Sequence, residues 1–156
     1  AEIEYTDFEN KLEYLYGIRS YFIEEIEKLE GTVVNGGKSR GSLNRPAEDQ
    51  QDACAAPHVV SVSFQDIRAE VLLHALEETH VYVSSGSACS SNHPAISGTL
   101  KAIGVEKRYL DATVRFSFSF DTTKEEIDEC VAQLSRLLPM LRRYTPGGRK
   151  RGGKRV

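Results

Sequence analysis

Two side chains in this sequence have the types and the surroundings for chemistry, Cys89 and Arg115. Cys89 lies in the stretch VSSGSACSSNHP, residues 83–94, among Ser84, Ser85, Ser87, Ser90 and Ser91, with Gly86 and Ala88. A structural cysteine usually has apolar neighbours, whereas these are small and polar. Such neighbours leave a thiol exposed and let the chain around it move. A free thiol titrates near about 8.5, so part of it is thiolate at neutral pH. An exposed thiolate can attack an electrophile or carry a transferred group. An incidental surface cysteine in a turn would have the same composition, and residue types alone leave both readings standing. His93, four positions on, could act as a base or cap a helix.

Arg115 belongs to TVRFSFS, residues 113–119. Val114, Phe116 and Phe118 alternate with Thr113, Arg115, Ser117 and Ser119, the two-residue period of a half-buried strand. Arg115 therefore projects from the polar side, where a guanidinium is suited to bidentate binding of a carboxylate. A surface arginine paired with a nearby acid is the competing reading. Arg19, Arg68 and Arg108 have no comparable context. Cys54, Cys89 and Cys130 are the three cysteines, an odd number that argues against a disulfide framework. No CxxC or Cys–His pair has zinc spacing, and His58, His74, His80 and His93 are scattered, so no metal site is expected.

The elements that must hold these residues follow from periodicity. Phe8, Leu12, Leu15, Ile18, Phe22, Ile26 and Leu29 recur at three- and four-residue steps, which predicts an amphipathic helix over about 7–30 closed by Gly31. A short strand is expected at 32–34. Residues 35–57 are rich in Gly, Ser, Asp and Gln and lack periodicity, which reads as a long flexible insertion holding an exposed Cys54. Val60, Val62 and Phe64 predict a second strand. Asp66 is then placed to cap a helix running to about 78, with Ala69, Leu72, Leu73 and Leu76 inward. A strand at 81–83 precedes the cysteine stretch. Pro94 suits the first turn of a following helix, capped by Asn92 or His93, with Ile96, Leu100 and Ile103 inward and Gly104 at its end. After the Arg115 strand, Thr122 with Glu125, or Thr123 with Glu126, offers a capping box. The last helix carries Ile127, Val131, Leu134, Leu138 and Leu141, with Pro139 expected to kink or end it and Cys130 filling a gap beside the core. This order predicts an α+β fold, a small sheet of about three to four strands with helices on one face.

The chain of 156 residues is long enough for one core, and its net charge of −3 is uneven. Seven of the 20 basic residues fall in 142–156, which has no acid, leaving 13 against all 23 acidic ones. That ending reads as a solvated, disordered tail rather than a nucleic-acid contact. No stretch approaches the roughly 20 apolar residues that span a bilayer, and the acidic first ten residues have no signal-peptide core. A cytoplasmic protein without membrane contact is expected. The expected division is a folded domain at 1–143 and the basic tail at 144–156.

VSSGSACSS, then LKAIGV, then VRFSFSFDTTKEEID resembles the C-terminal small domain of NifS-like cysteine desulfurases, enzymes of the class V aminotransferase fold that use pyridoxal phosphate. The likeness runs from about Leu12 to Leu141. NGGKSRGSLN and APHVVSVSF are similar to a further family stretch, but with extra residues from about Gly41 to Ala56. The resemblance implies the small-domain architecture of fold-type I pyridoxal-phosphate enzymes. It implies that Cys89 takes sulfur from cysteine as a persulfide, releasing alanine, and that Arg115 holds the substrate carboxylate. Ser84, Ser85, Gly86, Ser87 and Ala88 would form the cysteine loop and contact the cofactor phosphate. Implied partners are a large cofactor-binding domain, a second subunit in a homodimer, and a sulfur-acceptor or scaffold protein in iron–sulfur, tRNA-thiolation or sulfur-cofactor supply. In that family a lysine in a Ser-x-His-Lys motif holds the cofactor, and no histidine here is followed by lysine. The chain alone is therefore expected to bind no pyridoxal phosphate and to be inactive. An aminotransferase or selenocysteine lyase domain of the same fold, or a non-enzymatic sulfur-relay or scaffold-docking module, are the alternatives.

Overall fold

The structure, a computed structural model, describes residues 2–36, 56–85 and 111–144. Helix α1 spans Glu2–Ile26 and leads through a turn into strand β1, Thr32–Asn35. Strand β2 is Val59–Phe64 and helix α2 is Ala69–Glu77. The two-residue strand β3, Ser84–Ser85, and strand β4, Thr113–Ser117, precede helix α3, Lys124–Tyr144. The four strands pair antiparallel in the order β1-β2-β4-β3. The α+β architecture agrees with the alternation of strand and helix periods in the sequence.

Alternation along the strands builds the core. Val34, Val60, Val62, Phe64, Val114 and Phe116 form one buried cluster with residues of the three described helices. Ile18, Phe22, Ile23 and Ile26 come from α1, Leu72 and Leu76 from α2, and Ile127, Leu134 and Leu138 from α3. Phe116 is its aromatic centre, with ring centroids 4.8 Å from Phe22 and 6.3 Å from Phe64. Burying each such side chain contributes about 1.5–3 kcal/mol, and this is what presses the helices onto one face of the sheet. The opposite face carries Asn35, Ser61, Ser63, Thr113 and Arg115.

Several local expectations are corrected. The apolar stripe of α1 is buried from Leu15 onward, but Phe8 is 57% exposed. The helix ends at Ile26 rather than at about 30. Thr32 Oγ1 donates to the carbonyls of Ile26 and Leu29, and Gly31 turns the chain at φ +71. Asp66 does not cap α2. It sits in the left-handed region at φ +60, which Asp tolerates better than most residues, and Arg68 takes the N-cap place without a side-chain bond. α3 opens on the second capping box: Glu126 N donates to Thr123 Oγ1 at 3.2 Å and Thr123 N to Glu126 Oε2 at 2.9 Å. Pro139 does not end α3, which runs on to Tyr144.

Arg142 is not a free charge of the tail. Its guanidinium donates to the carbonyls of Glu30 at 2.7 Å and Gln65 at 3.2 Å. The last turn of α3 is thereby tied to the exits of α1 and β2. The helix expected at 94–104, most of the insertion expected at 35–57 with Cys54, and the tail from 145 lie outside the described residues.

Candidate functional site

Strand register determines which polar side chains meet. Asn35 is opposite Ser61, Ser61 is opposite Arg115, and Arg115 is opposite Ser84. One row therefore crosses all four strands on the face away from the helices. Side chains directly opposite in an antiparallel pair are about 4.5–5.5 Å apart at Cβ, close enough for a direct bond. Arg115 Nε donates to Ser84 Oγ at 3.1 Å, and Asn35 Nδ2 donates to Ser61 Oγ opposite it at 3.4 Å and, diagonally, to Ser63 Oγ at 2.8 Å. In the adjoining row Ser63 Oγ and Thr113 Oγ1 are 2.6 Å apart and both residues are buried.

Arg115 is exposed and stands next to Ser84, which ends this row and belongs to the cysteine stretch. Its position opposite the core side agrees with the alternation in the sequence. The strand expected at 81–83 is displaced: pairing begins at Ser84, because Ser84 and Ser85 supply the residues opposite Arg115 and Val114. Val81 and Val83 pack against the core from outside the strand. Two residues read as part of a loop are thus strand residues, and Ser85 is buried. Gly86, Ser87, Ala88, Cys89 and His93 lie outside the described residues.

Ser84 as the partner of Arg115 was not anticipated. Its signal was the pair of serines following an apolar segment, which can continue a strand as easily as open a loop. Arg19 carries no such signal either. It is 3% exposed, and burial lowers its pKa from the ordinary guanidinium value while Tyr16 acts the other way. It lies one residue after the buried Ile18, and helical periodicity alone does not distinguish a buried arginine from one at the rim.

The described thiol is Cys130 on α3, packed against the core. Burial pushes its pKa up to about 12, so it is almost wholly protonated at neutral pH and a poor nucleophile. Nor do the described residues suit an aldehyde cofactor. Lys11, Lys28 and Lys124 are all exposed, Lys11 paired with Asp7 and Lys28 with Glu25, and Lys124 lying over the ring of Tyr21. A lysine that holds such a cofactor works from a desolvated pocket, and none of these three does. Among the described residues no group of His, Cys, Asp and Glu could hold a metal ion, and no helix is long and apolar enough to cross a membrane.

Comparison with known proteins gives one consistent result. The family model described as aminotransferase class-V matches residues 7–130. Cysteine desulfurase IscS of Vibrio atlanticus is 33% identical over 140 residues, which is 90% of this chain and 31% of that protein. Cysteine desulfurase IscS of Buchnera aphidicola is 38% identical over 133 residues, 85% of this chain and 29% of that protein. A solved structure titled NifS-like protein superposes with a TM-score of 0.60 at 24% identity, covering 83% of this chain and 28% of that one, a likeness of fold. The chain spans about a third of the length of the curated relatives it matches.

Proposed function

The chain belongs to the class-V aminotransferases, and from that premise we propose that it is the C-terminal small domain of a cysteine desulfurase, with Cys89 as sulfur acceptor and Arg115 as substrate anchor. The net change assigned to Cys89 balances without a further reactant. Its thiol and L-cysteine become a persulfide and L-alanine. One S–S bond forms, the Cβ–S bond of the substrate breaks, and a hydrogen replaces sulfur on that carbon. Pyridoxal phosphate supplies the electron sink for such chemistry when bound. The described residues do not fit it, so that part of the reaction belongs to a large cofactor-binding domain, and no step through the cofactor is assigned to this chain. Homodimer formation and transfer of the persulfide sulfur to an acceptor or scaffold protein belong to the same reading.

The observation that carries it is the pairing of β3 with β4. The segment that runs on to Cys89 starts directly opposite Arg115, within hydrogen-bond distance of its Nε. An anchor for a carboxylate and the root of a thiol-bearing segment therefore share one point of the sheet. A small amino acid held there by its carboxylate would lie at the root of the segment whose sequence carries the thiol. Arg115 supplies what the acid needs, a permanently charged planar cation with several donors.

The test is substitution in the holoenzyme carrying this chain. Cys89→Ser should abolish alanine formation from L-cysteine and the persulfide with it, because a hydroxyl at this position is a far weaker nucleophile. Full turnover by that variant would end the assignment.

A further inference from the structure

We propose that Ser84 is the positioning residue for Arg115, and that it commits the guanidinium to taking a carboxylate end-on. The proposal rests on the reading of Arg115 as a carboxylate anchor and adds to it the geometry of binding. A guanidinium can grip a carboxylate along two kinds of edge. The side-on grip uses Nε–H and one terminal amino group, and the end-on grip uses the two terminal amino groups. In this chain Nε–H donates to Ser84 Oγ at 3.1 Å, so the side-on edge is occupied. The remaining fork points a parallel pair of N–H bonds away from Ser84, which suits one planar carboxylate.

The backbone supports this assignment independently of the side-chain bond. Ser84 and Arg115 are register partners in β3 and β4, so the hydroxyl is brought to Arg115 by the ladder and not by chance approach of two surface side chains. Arg115 is exposed while Ser84 is half-buried, so a flexible, solvated side chain is tethered to a more fixed one. Holding an arginine in its bound rotamer before the ligand arrives removes part of the ordering cost of binding. Serine is small enough to do this without covering the terminal amino groups.

Two measurements test it. In the holoenzyme carrying this chain, Ser84→Ala should raise KM for L-cysteine about two- to tenfold, the scale of one ordinary net hydrogen bond, with kcat within about twofold. Ser84→Thr keeps the hydroxyl and should restore KM. On the 156-residue chain, the Nε–H proton of Arg115 should exchange with water several-fold faster in Ser84→Ala than in the wild type or Ser84→Thr. An unchanged KM in Ser84→Ala, a loss confined to kcat, or an equal loss in Ser84→Thr would overturn the proposal, as would an unaltered exchange rate. Arg115→Ala separates this outcome from failure of the underlying reading. If Arg115→Ala leaves KM unchanged, the carboxylate assignment itself is wrong. If it raises KM steeply while Ser84→Ala does not, only the role of Ser84 is refuted.

Discussion

The two faces of the sheet are built from alternate residues of the same strands, yet they are held by different forces. On one face Val114 and Phe116 of β4 are 0% and 4% exposed beneath three helices. On the other, Arg115 and Ser117 are exposed, and the side chains meet through directed bonds in one register. The apolar face tolerates no lost volume because its contacts are close-packed. The polar face depends on which residue stands opposite which. The first holds the fold together, and the second is free to carry a site. Removing side chains from each face tests that division.

The largest effect should come from the apolar face. Phe116→Ala removes a ring packed on Phe22 and Phe64 and should destabilise the chain by about 3–5 kcal/mol. Urea unfolding followed by circular dichroism measures it, with stability read from the midpoint at an unchanged slope. A loss below about 1 kcal/mol would mean that the helices are held on by something other than this cluster, and the contrast between the faces would fail.

An intermediate effect is expected where the polar face is itself buried. Ser63 projects from the polar side of β2 but is 0% exposed, and it bonds Thr113 and Asn35. Ser63→Ala takes an acceptor from Asn35 and a partner from Thr113, at a cost of about 1–3 kcal/mol. Ser63→Thr, which keeps the hydroxyl, should recover part of it. A neutral Ser63→Ala would show that the polar rows contribute nothing to stability, which would sharpen the division between the faces rather than blur it.

The same contrast explains what could be read from the sequence. The apolar face was legible because burial imposes a period. Val60, Val62 and Phe64, and the stripe of Ile127, Leu134 and Leu138, were identified from spacing alone and are buried. Residues whose role is set by a distant partner were not. Ser84 is placed by its pairing with a strand 31 positions away. Arg142 reaches the carbonyl of Glu30, 112 positions away, and read as part of a basic tail. Asp66 is ambiguous for a local reason: a short polar side chain before a helix suits a cap and a left-handed turn equally well, and only the φ angle distinguishes them. Arg115 lies between these cases. Its face was legible from alternation, and its partner was not.

The smallest effect should be at Arg115 itself. Arg115 is exposed and its bond to the half-buried Ser84 lies at the surface. Such bonds compete with water at little net gain, and surface substitutions away from buried features usually stay within about 0.5 kcal/mol. Arg115→Gln keeps a planar, hydrogen-bonding side chain of similar reach while removing the charge and the fork. Its unfolding midpoint should therefore lie close to that of the wild type, far from that of Phe116→Ala. A site residue is expected to behave this way, because what it holds is a ligand and not the fold. A loss above about 1.5 kcal/mol, the scale of a hydrogen bond to a charged group made in the folded chain, would place Arg115 among the residues that hold the sheet together. Arg115 would then be a structural arginine, and the polar face would lose its claim to be the functional one.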